Sequence, residues 1–197
     1  MVKVGIMGGT FDPIHVGHLL AAQSALEAGG LDQVWFIPAF APPLKGREPG
    51  ADAVQRLEMT MLATEPETRF RVIDLELRRG GVSYSNDTVL ELKARYPEHE
   101  FTYIIGSDRV NDLPRWHRIE ELASAIRFIG LERPGDPLPD QAELPSFLQS
   151  RIAFAPMPLI EISSTDIRTR AAAGRPIRFM VPESVHSYIQ RNGIYGS

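Results

Sequence analysis

Short runs rich in β-branched and aromatic residues alternate along the chain with stretches whose apolar positions fall at i, i+3 or i+4. The runs at Val2–Met7, Val34–Ile37, Arg71–Leu77, Phe101–Ile105, Arg127–Leu131 and Ile152–Phe154 predict strands. The amphipathic stretches predict helices over about Val16–Ala28, Ala51–Thr64, Asn86–Arg95, Ile119–Ser124, Thr165–Ala173 and Glu183–Arg191, the last opening just after Pro182. Gly174 and Gly193 stand where glycines end helices. Six strands with helices between them predict an α/β fold, a doubly wound parallel sheet with closing C-terminal helices. Ligands of such sheets bind beyond the carboxyl ends of the strands, near the point where strand order reverses. Pro and Gly concentrate in the stretches from Pro38 to Gly50 and from Arg133 to Pro145, two loops expected on that same edge.

Composition narrows the class. With 197 residues, 43% hydrophobic and 23% charged, the chain has the makings of a single folded domain over residues 1–197, and a disordered or low-complexity chain is excluded. There are no cysteines, which removes disulfides, Cys-bound zinc, Fe–S clusters and thiol nucleophiles and fits a cytoplasmic location. The first residues, Met1 to Gly5, lack the pattern of a secretory signal. The longest apolar run, Val34 to Leu44, is interrupted by Pro38, Pro42 and Pro43, so no membrane span is expected. A net charge of -4 disfavours a nucleic-acid partner, and any anionic ligand must be held by local positive groups.

The segment Gly8-Gly9-Thr10-Phe11-Asp12-Pro13-Ile14-His15-Val16-Gly17-His18 leaves the first predicted strand and opens the first predicted helix. Gly8 and Gly9 let the backbone approach a phosphate, and the amides and dipole of a helix start favour negative charge. His15 and His18, three residues apart, are expected on one helical face, and Gly17 keeps a side chain away from a bound nucleotide. A lone His-x-x-His is usually an ordinary turn; its place after the first strand favours a phosphate site. Neither Gly-x-Gly-x-x-Gly nor Gly-Lys-Ser/Thr occurs, so dinucleotide-binding and P-loop chemistry lack their fingerprints.

A second candidate lies at Ile162-Ser163-Ser164-Thr165-Asp166-Ile167-Arg168, where Ser163-x-x-Asp166 reads as a capping box and the helix start offers hydroxyls, amides and Arg168 to an anion. Thr10 to His18 resembles the His-x-Gly-His signature of the Rossmann-like nucleotidyltransferases, and Ile162 to Arg168 resembles their second signature. Three further segments, Pro42-Pro43-Leu44-Lys45, Ser83-Tyr84-Ser85-Asn86-Asp87-Thr88 and Ile105-Gly106-Ser107-Asp108 through Trp116-His117, extend the likeness. With Val181-Pro182-Glu183-Ser184-Val185 and Asn192-Gly193-Ile194-Tyr195, the chain is similar to bacterial nicotinate-nucleotide adenylyltransferases over nearly its whole length. It departs from their usual pattern at Leu44, Asn86 and His117.

This resemblance implies a transfer of the adenylyl group of ATP to nicotinate mononucleotide, releasing pyrophosphate. It places Gly8, Gly9, Thr10, Phe11, His15 and His18 around the ATP phosphates, with Lys45 near the same charge and Ser163, Ser164 and Arg168 at the β- and γ-phosphates. His15, His18, Lys45 and Arg168 form the implied catalytic set, and Mg2+ bridges the phosphates with few protein ligands. Gly106 and Asp108 are placed at the ribose, although Asp108 reads equally as a helix cap. Ser83, Tyr84 and Ser85 are placed at the nicotinate carboxylate and Trp116 on the pyridine ring, with a core aromatic as the other reading of Trp116. Arg133 reads as a phosphate contact or an ordinary surface arginine. Phosphopantetheine, FMN or cytidylyl transfer would share the first signature but call for a different acceptor loop. A nucleotide sensor would be expected to lose one of His15, His18, Lys45 or Arg168. A homo-oligomer is left open.

Overall fold

The computed structural model describes residues 1–41, 49–132 and 141–196. A six-stranded, all-parallel sheet is built from β1 (Val2–Gly9), β2 (Gln33–Pro38), β3 (Phe70–Val72), β4 (His99–Gly106), β5 (Arg127–Glu132) and β6 (Ile152–Pro156), in the order β3-β2-β1-β4-β5-β6. The chain begins at the centre, runs outward to β3, then returns to place β4 beside β1. Strand order therefore reverses between β1 and β4, and the connections leaving their carboxyl ends part to open a crevice.

Eight α-helices connect or cover the strands among the described residues: α1 (Val16–Ala28), α2 (Ala53–Thr64), α3 (Leu75–Arg79), α4 (Ser85–Arg95), α5 (Ile119–Ala125), α6 (Ser146–Gln149), α7 (Ser164–Ala172) and α8 (Glu183–Arg191). Strand side chains alternate between two cores, as a sheet buried on both faces requires. Val34 and Phe36 of β2 pack with Ala22, Met59, Ile167 and Ile189 of α1, α2, α7 and α8. Trp35 and Ile37 of the same strand face the other way, toward Val89, Leu122 and Leu148 of α4, α5 and α6. Trp35 is fully buried, as its place in an apolar strand predicts, and its indole N–H donates to Gln33 Oε1 at 2.8 Å.

The third predicted strand is corrected. Parallel pairing with β2 covers only Phe70 to Val72, and the remainder of the expected Arg71–Leu77 run turns into α3 after Asp74. Arg78 Nε donates to the Asp74 carboxylate at 2.8 Å, four residues back, while Leu75 and Glu76 are buried. Apolar residues at 73, 75 and 77 suit a strand; the Asp74–Arg78 spacing suits a helical turn, and the turn prevails although β2 runs on to Pro38, two residues past its last pair with β3. A 3-10 helix, Ser107–Arg115, and α6 were not anticipated either.

Candidate active site

The connection leaving β1 is anchored by charge inside the protein. Asp12, 4% exposed, accepts from the Gly50 amide at 2.8 Å through Oδ2 and from the Ala51 amide at 3.0 Å and the Tyr195 hydroxyl at 2.7 Å through Oδ1. Arg56 of α2, 1% exposed, gives Nη1 to the carbonyls of Thr10 and Ala39, both at 2.7 Å, and Nη2 to the Phe40 carbonyl at 3.2 Å. Burial pulls the Arg56 guanidinium below its usual pKa, and the Asp12 carboxylate opposes that shift. The arginine thus cross-links the carboxyl ends of β1 and β2 from beneath and supplies the donors that their outgoing carbonyls lack.

His15 is the N-cap of α1, with extended backbone at φ -143° and ψ 171°, so it does not share a helical face with His18 as the spacing predicts. The two imidazoles nevertheless meet, with ring centroids 3.7 Å apart and planes 27° from parallel. The His15 amide donates to His18 Nδ1 at 3.2 Å. An Nδ1 that accepts carries no proton, which leaves the proton of neutral His18 on Nε2. Gly17 has a different use from the one its sequence position suggests: a Cβ there would lie 3.0 Å from His15 Nδ1. Its lack of a side chain lets the His15 ring fold over the helix start.

The adjacent glycines also accommodate side chains. Gly8 and Gly9 are the last residues of β1, not a free loop; a Cβ at Gly8 would collide with the Tyr103 hydroxyl, and one at Gly9 would lie 2.9 Å from the Phe11 ring. Phe11 itself adopts φ +48° and sets its ring edge-on to His18, centroids 5.1 Å apart.

The start of α7 closes on this loop from 150 residues further along the sequence. Ser163 caps the helix by accepting from the Asp166 amide at 3.1 Å, as the predicted cap requires, and its O–H remains a donor. Ser164 spends its hydroxyl proton on the Pro13 carbonyl at 2.9 Å, so toward an anion it offers its amide. Arg168 donates Nη1 to the Asp12 carbonyl at 2.7 Å and Nη2 to Thr165 Oγ1 at 3.1 Å, with the Asp12 carboxylate 3.5 Å away. Both candidate signatures are thereby joined at Asp12 and Pro13.

Across the crevice, Asp108 is exposed in the first turn of the 3-10 helix after β4, whose N-cap is Gly106. It makes no capping bond there, and a Cβ at Gly106 would lie 2.5 Å from Asp108 Oδ1. Trp116 ends that helix half-buried, its ring edge-on to Tyr103 at 5.5 Å. Tyr103 is hydrogen-bonded to Ser85 at 3.0 Å, and desolvation holds its hydroxyl well above the ordinary tyrosine pKa. Ser83 accepts from the Phe40 amide at 3.0 Å, and Tyr84, the N-cap of α4, packs on His117 with centroids 4.4 Å apart. Lys45 and Arg133 lie outside the described residues, as does Leu44.

A family profile described as cytidylyltransferase-like matches residues 6–170. The nicotinate-nucleotide adenylyltransferase of Bacillus subtilis is 43% identical over 197 residues, covering all of both chains. The chain belongs to the nicotinate-nucleotide adenylyltransferase family. The fold agrees with that of the Plasmodium falciparum nicotinic acid mononucleotide adenylyltransferase. Its structure complexed with APC superposes with a TM-score of 0.78 at 18% identity, covering 99% of this chain and 98% of that one. Its complex with NaAD gives 0.77 at 21%, with the same coverage.

Asn86, expected from the sequence to depart from the pattern of nicotinate-nucleotide adenylyltransferases, has a partner in the structure. Asn86 is fully buried in the first turn of α4 and donates Nδ2 to Glu121 Oε2 at 2.9 Å, which also holds Arg118 Nη2 at 2.7 Å. His117 supplies the ring against Tyr84. The two residues thus join the same pair of segments.

Sequence reasoning passed over Asp12 as a separate residue, and missed Arg56, Glu76 and the Tyr195 side chain. Asp12 sits inside the first signature, where it could have been singled out. Arg56 follows Gln55 on an otherwise ordinary amphipathic helix, and nothing local distinguishes it from a solvated arginine. Glu76 lay inside the run read as a strand.

Proposed function

We infer that the chain transfers the adenylyl group of ATP to the phosphate of nicotinate mononucleotide, yielding nicotinate adenine dinucleotide and pyrophosphate, a step of NAD biosynthesis. The observation that carries this reading is the meeting of two helix starts, His15–His18 and Ser163–Arg168, at the strand-order reversal, where Arg168 and Ser164 donate to the main-chain carbonyls of Asp12 and Pro13. Two anion-binding helix termini facing one crevice suit a polyphosphate.

The acceptor phosphate is already an anion, so the reaction needs alignment and charge stabilisation more than a base. His18 donates Nε2–H to the α-phosphate as negative charge grows there, and Thr10 and His15 flank it. Arg168, the Ser163 hydroxyl and the α7 amides, Ser164 included, hold the departing pyrophosphate, and Lys45 neutralises the same charge. Among the described residues no three His, Asp or Glu side chains converge to hold a metal ion, so Mg2+ enters on the ATP phosphates as part of the substrate. Asp108 takes the ribose hydroxyls beside Gly106, Trp116 stacks on the pyridine ring, and the amides near Tyr84 and Ser85 receive the carboxylate. Arg133 is assigned to the nucleotide phosphates. One folded unit of residues 1–197 provides the whole site.

Pyrophosphate release from Mg·ATP tests the assignment, with nicotinate mononucleotide and nicotinamide mononucleotide supplied separately and the dinucleotide identified by mass. Turnover with the acid form supports it. Turnover only with an acceptor lacking a pyridine ring overturns it.

A further inference from the structure

Tyr195 lies next to the end of the described chain, yet its hydroxyl reaches Asp12, 183 residues away, at 2.7 Å. Its backbone takes φ +64°, a conformation that a non-glycine residue holds only when its surroundings impose it. Its ring is placed against Gly50, where an added Cβ would stand 3.0 Å from Tyr195 Cε1 and 3.1 Å from Arg168 Cδ. The tyrosine ring and the arginine stem are therefore packed against the same glycine.

The bonds at Asp12 give this contact a consequence. Oδ1 is satisfied by Tyr195 and the Ala51 amide, and Oδ2 by the Gly50 amide. Arg168 stands 3.5 Å from Oδ2, beyond a good hydrogen bond, and donates instead to the Asp12 main-chain carbonyl at 2.7 Å. Without the tyrosine hydroxyl, Oδ1 loses a donor, and the nearest cation able to compensate is Arg168. Drawn onto the carboxylate, that guanidinium would have fewer free N–H groups and less uncompensated charge for a phosphate.

We propose that Tyr195 is a positioning residue: by donating to Asp12 it keeps the carboxylate from capturing Arg168 and so holds that arginine ready for the outer phosphates of ATP. The proposal rests on the reading of Arg168 as a pyrophosphate ligand. It extends the site to the 3-10 turn Ile194–Gly196.

The test compares Tyr195→Phe, Arg168→Ala and the double variant in steady-state kinetics with ATP and nicotinate mononucleotide varied separately, each after a thermal melt. Tyr195→Phe keeps the ring on Gly50 and is expected to raise KM for ATP about ten-fold, the scale of one hydrogen bond to a charged group, with KM for the mononucleotide unchanged within two-fold. In the Arg168→Ala background the same change should add less than two-fold, because its effect passes through Arg168. Gly50→Ala, which crowds both side chains without removing either polar group, should reproduce the ATP-selective defect. If Arg168→Ala weakens ATP while Tyr195→Phe does nothing, weakens both substrates equally, or multiplies with Arg168→Ala, the proposal is overturned and the phosphate reading stands. If Arg168→Ala leaves ATP untouched, the phosphate reading itself fails and takes the proposal with it.

Discussion

The two sides of the crevice are held in place by different physics. On the phosphate side, Arg168 and Ser164 tie Ser163–Arg168 to the carbonyls of Asp12 and Pro13, and buried charges hold the loop beneath: the Asp12 carboxylate accepts three hydrogen bonds and Arg56 gives three to carbonyls. On the acceptor side, Ser83 to Asn86 and Trp116 to Glu121 meet through ring contacts and one amide-to-carboxylate bond, with Arg118 and Glu121 partly exposed. Buried hydrogen bonds to charged groups are directional and costly to break, so the phosphate side tolerates little change. Ring edges and partly solvated pairs can be exchanged at small cost. A site that always handles a triphosphate but must choose its acceptor gains from being rigid on one side and adjustable on the other.

Replacing His18 by Ala should break the comparison most sharply on the rigid side. It removes a donor to the transferring phosphate and should lower kcat by about 10²–10³, roughly 3–4 kcal/mol, while the protein stays folded. Stopped assays with circular dichroism decide it, and a folded variant within a few-fold of wild type would remove His18 from the chemistry.

Arg56→Met should act on stability before it acts on rate. Three carbonyls would lose their donor, two of them in buried bonds, and with about 1–3 kcal/mol for each unsatisfied buried group the loss should be at least about 2 kcal/mol. Urea unfolding measures it; a loss under 1 kcal/mol would mean that water or relaxation replaces the arginine and that the rigid side is not held by charge.

On the adjustable side effects should be smaller and confined to one substrate. Trp116→Ala should raise KM for nicotinate mononucleotide about ten-fold and leave KM for ATP nearly unchanged, in line with about 0.5–1.5 kcal/mol for an aromatic pair beyond its area. A Trp35→Phe background isolates its fluorescence, since these are the only two tryptophans. Saturable quenching by the mononucleotide without ATP is expected, and equal effects on both substrates would erase the distinction between the two sides.

The acceptor side has one buried charge of its own, and its effect should be the smallest. Glu76 accepts from Thr88 at 2.6 Å, and burial pushes its pKa above 4.5, with hydrogen bonds from Thr88 and Ser83 and the charge of Arg79 opposing the shift. A carboxyl whose folded pKa is raised favours folding fully below the unfolded value, and that contribution fades as pH rises through the folded value. Glu76→Gln keeps an oxygen for Thr88 and cannot ionise. Its melting temperature should match wild type near pH 4 and exceed it increasingly toward pH 7; a gap that stays constant with pH would show that Glu76 is not the group titrating.

Strand and helix order, the edge that carries the candidate site, the cap at Ser163 and the two helix starts proposed to bind phosphate were legible in the sequence because each rests on local periodicity or short spacing. The His15–His18 pair was legible too, but as neighbours on a helix; that His15 caps the helix and stacks its ring through the space left by Gly17 depended on how the chain leaves β1. β3 ends at Val72 because the chain turns into α3 after Asp74, whereas the alternation of residues 71–77 taken alone suits a longer strand. Only the tertiary structure could bring Asp12 to Gly50, Arg168 and Tyr195, or set the carbonyls of Thr10, Ala39 and Phe40 around Arg56. A side chain's role in burial depends on what the rest of the chain places around it: the pattern along a helix can say that an arginine is present, and the packed fold alone determines which carbonyls it must satisfy.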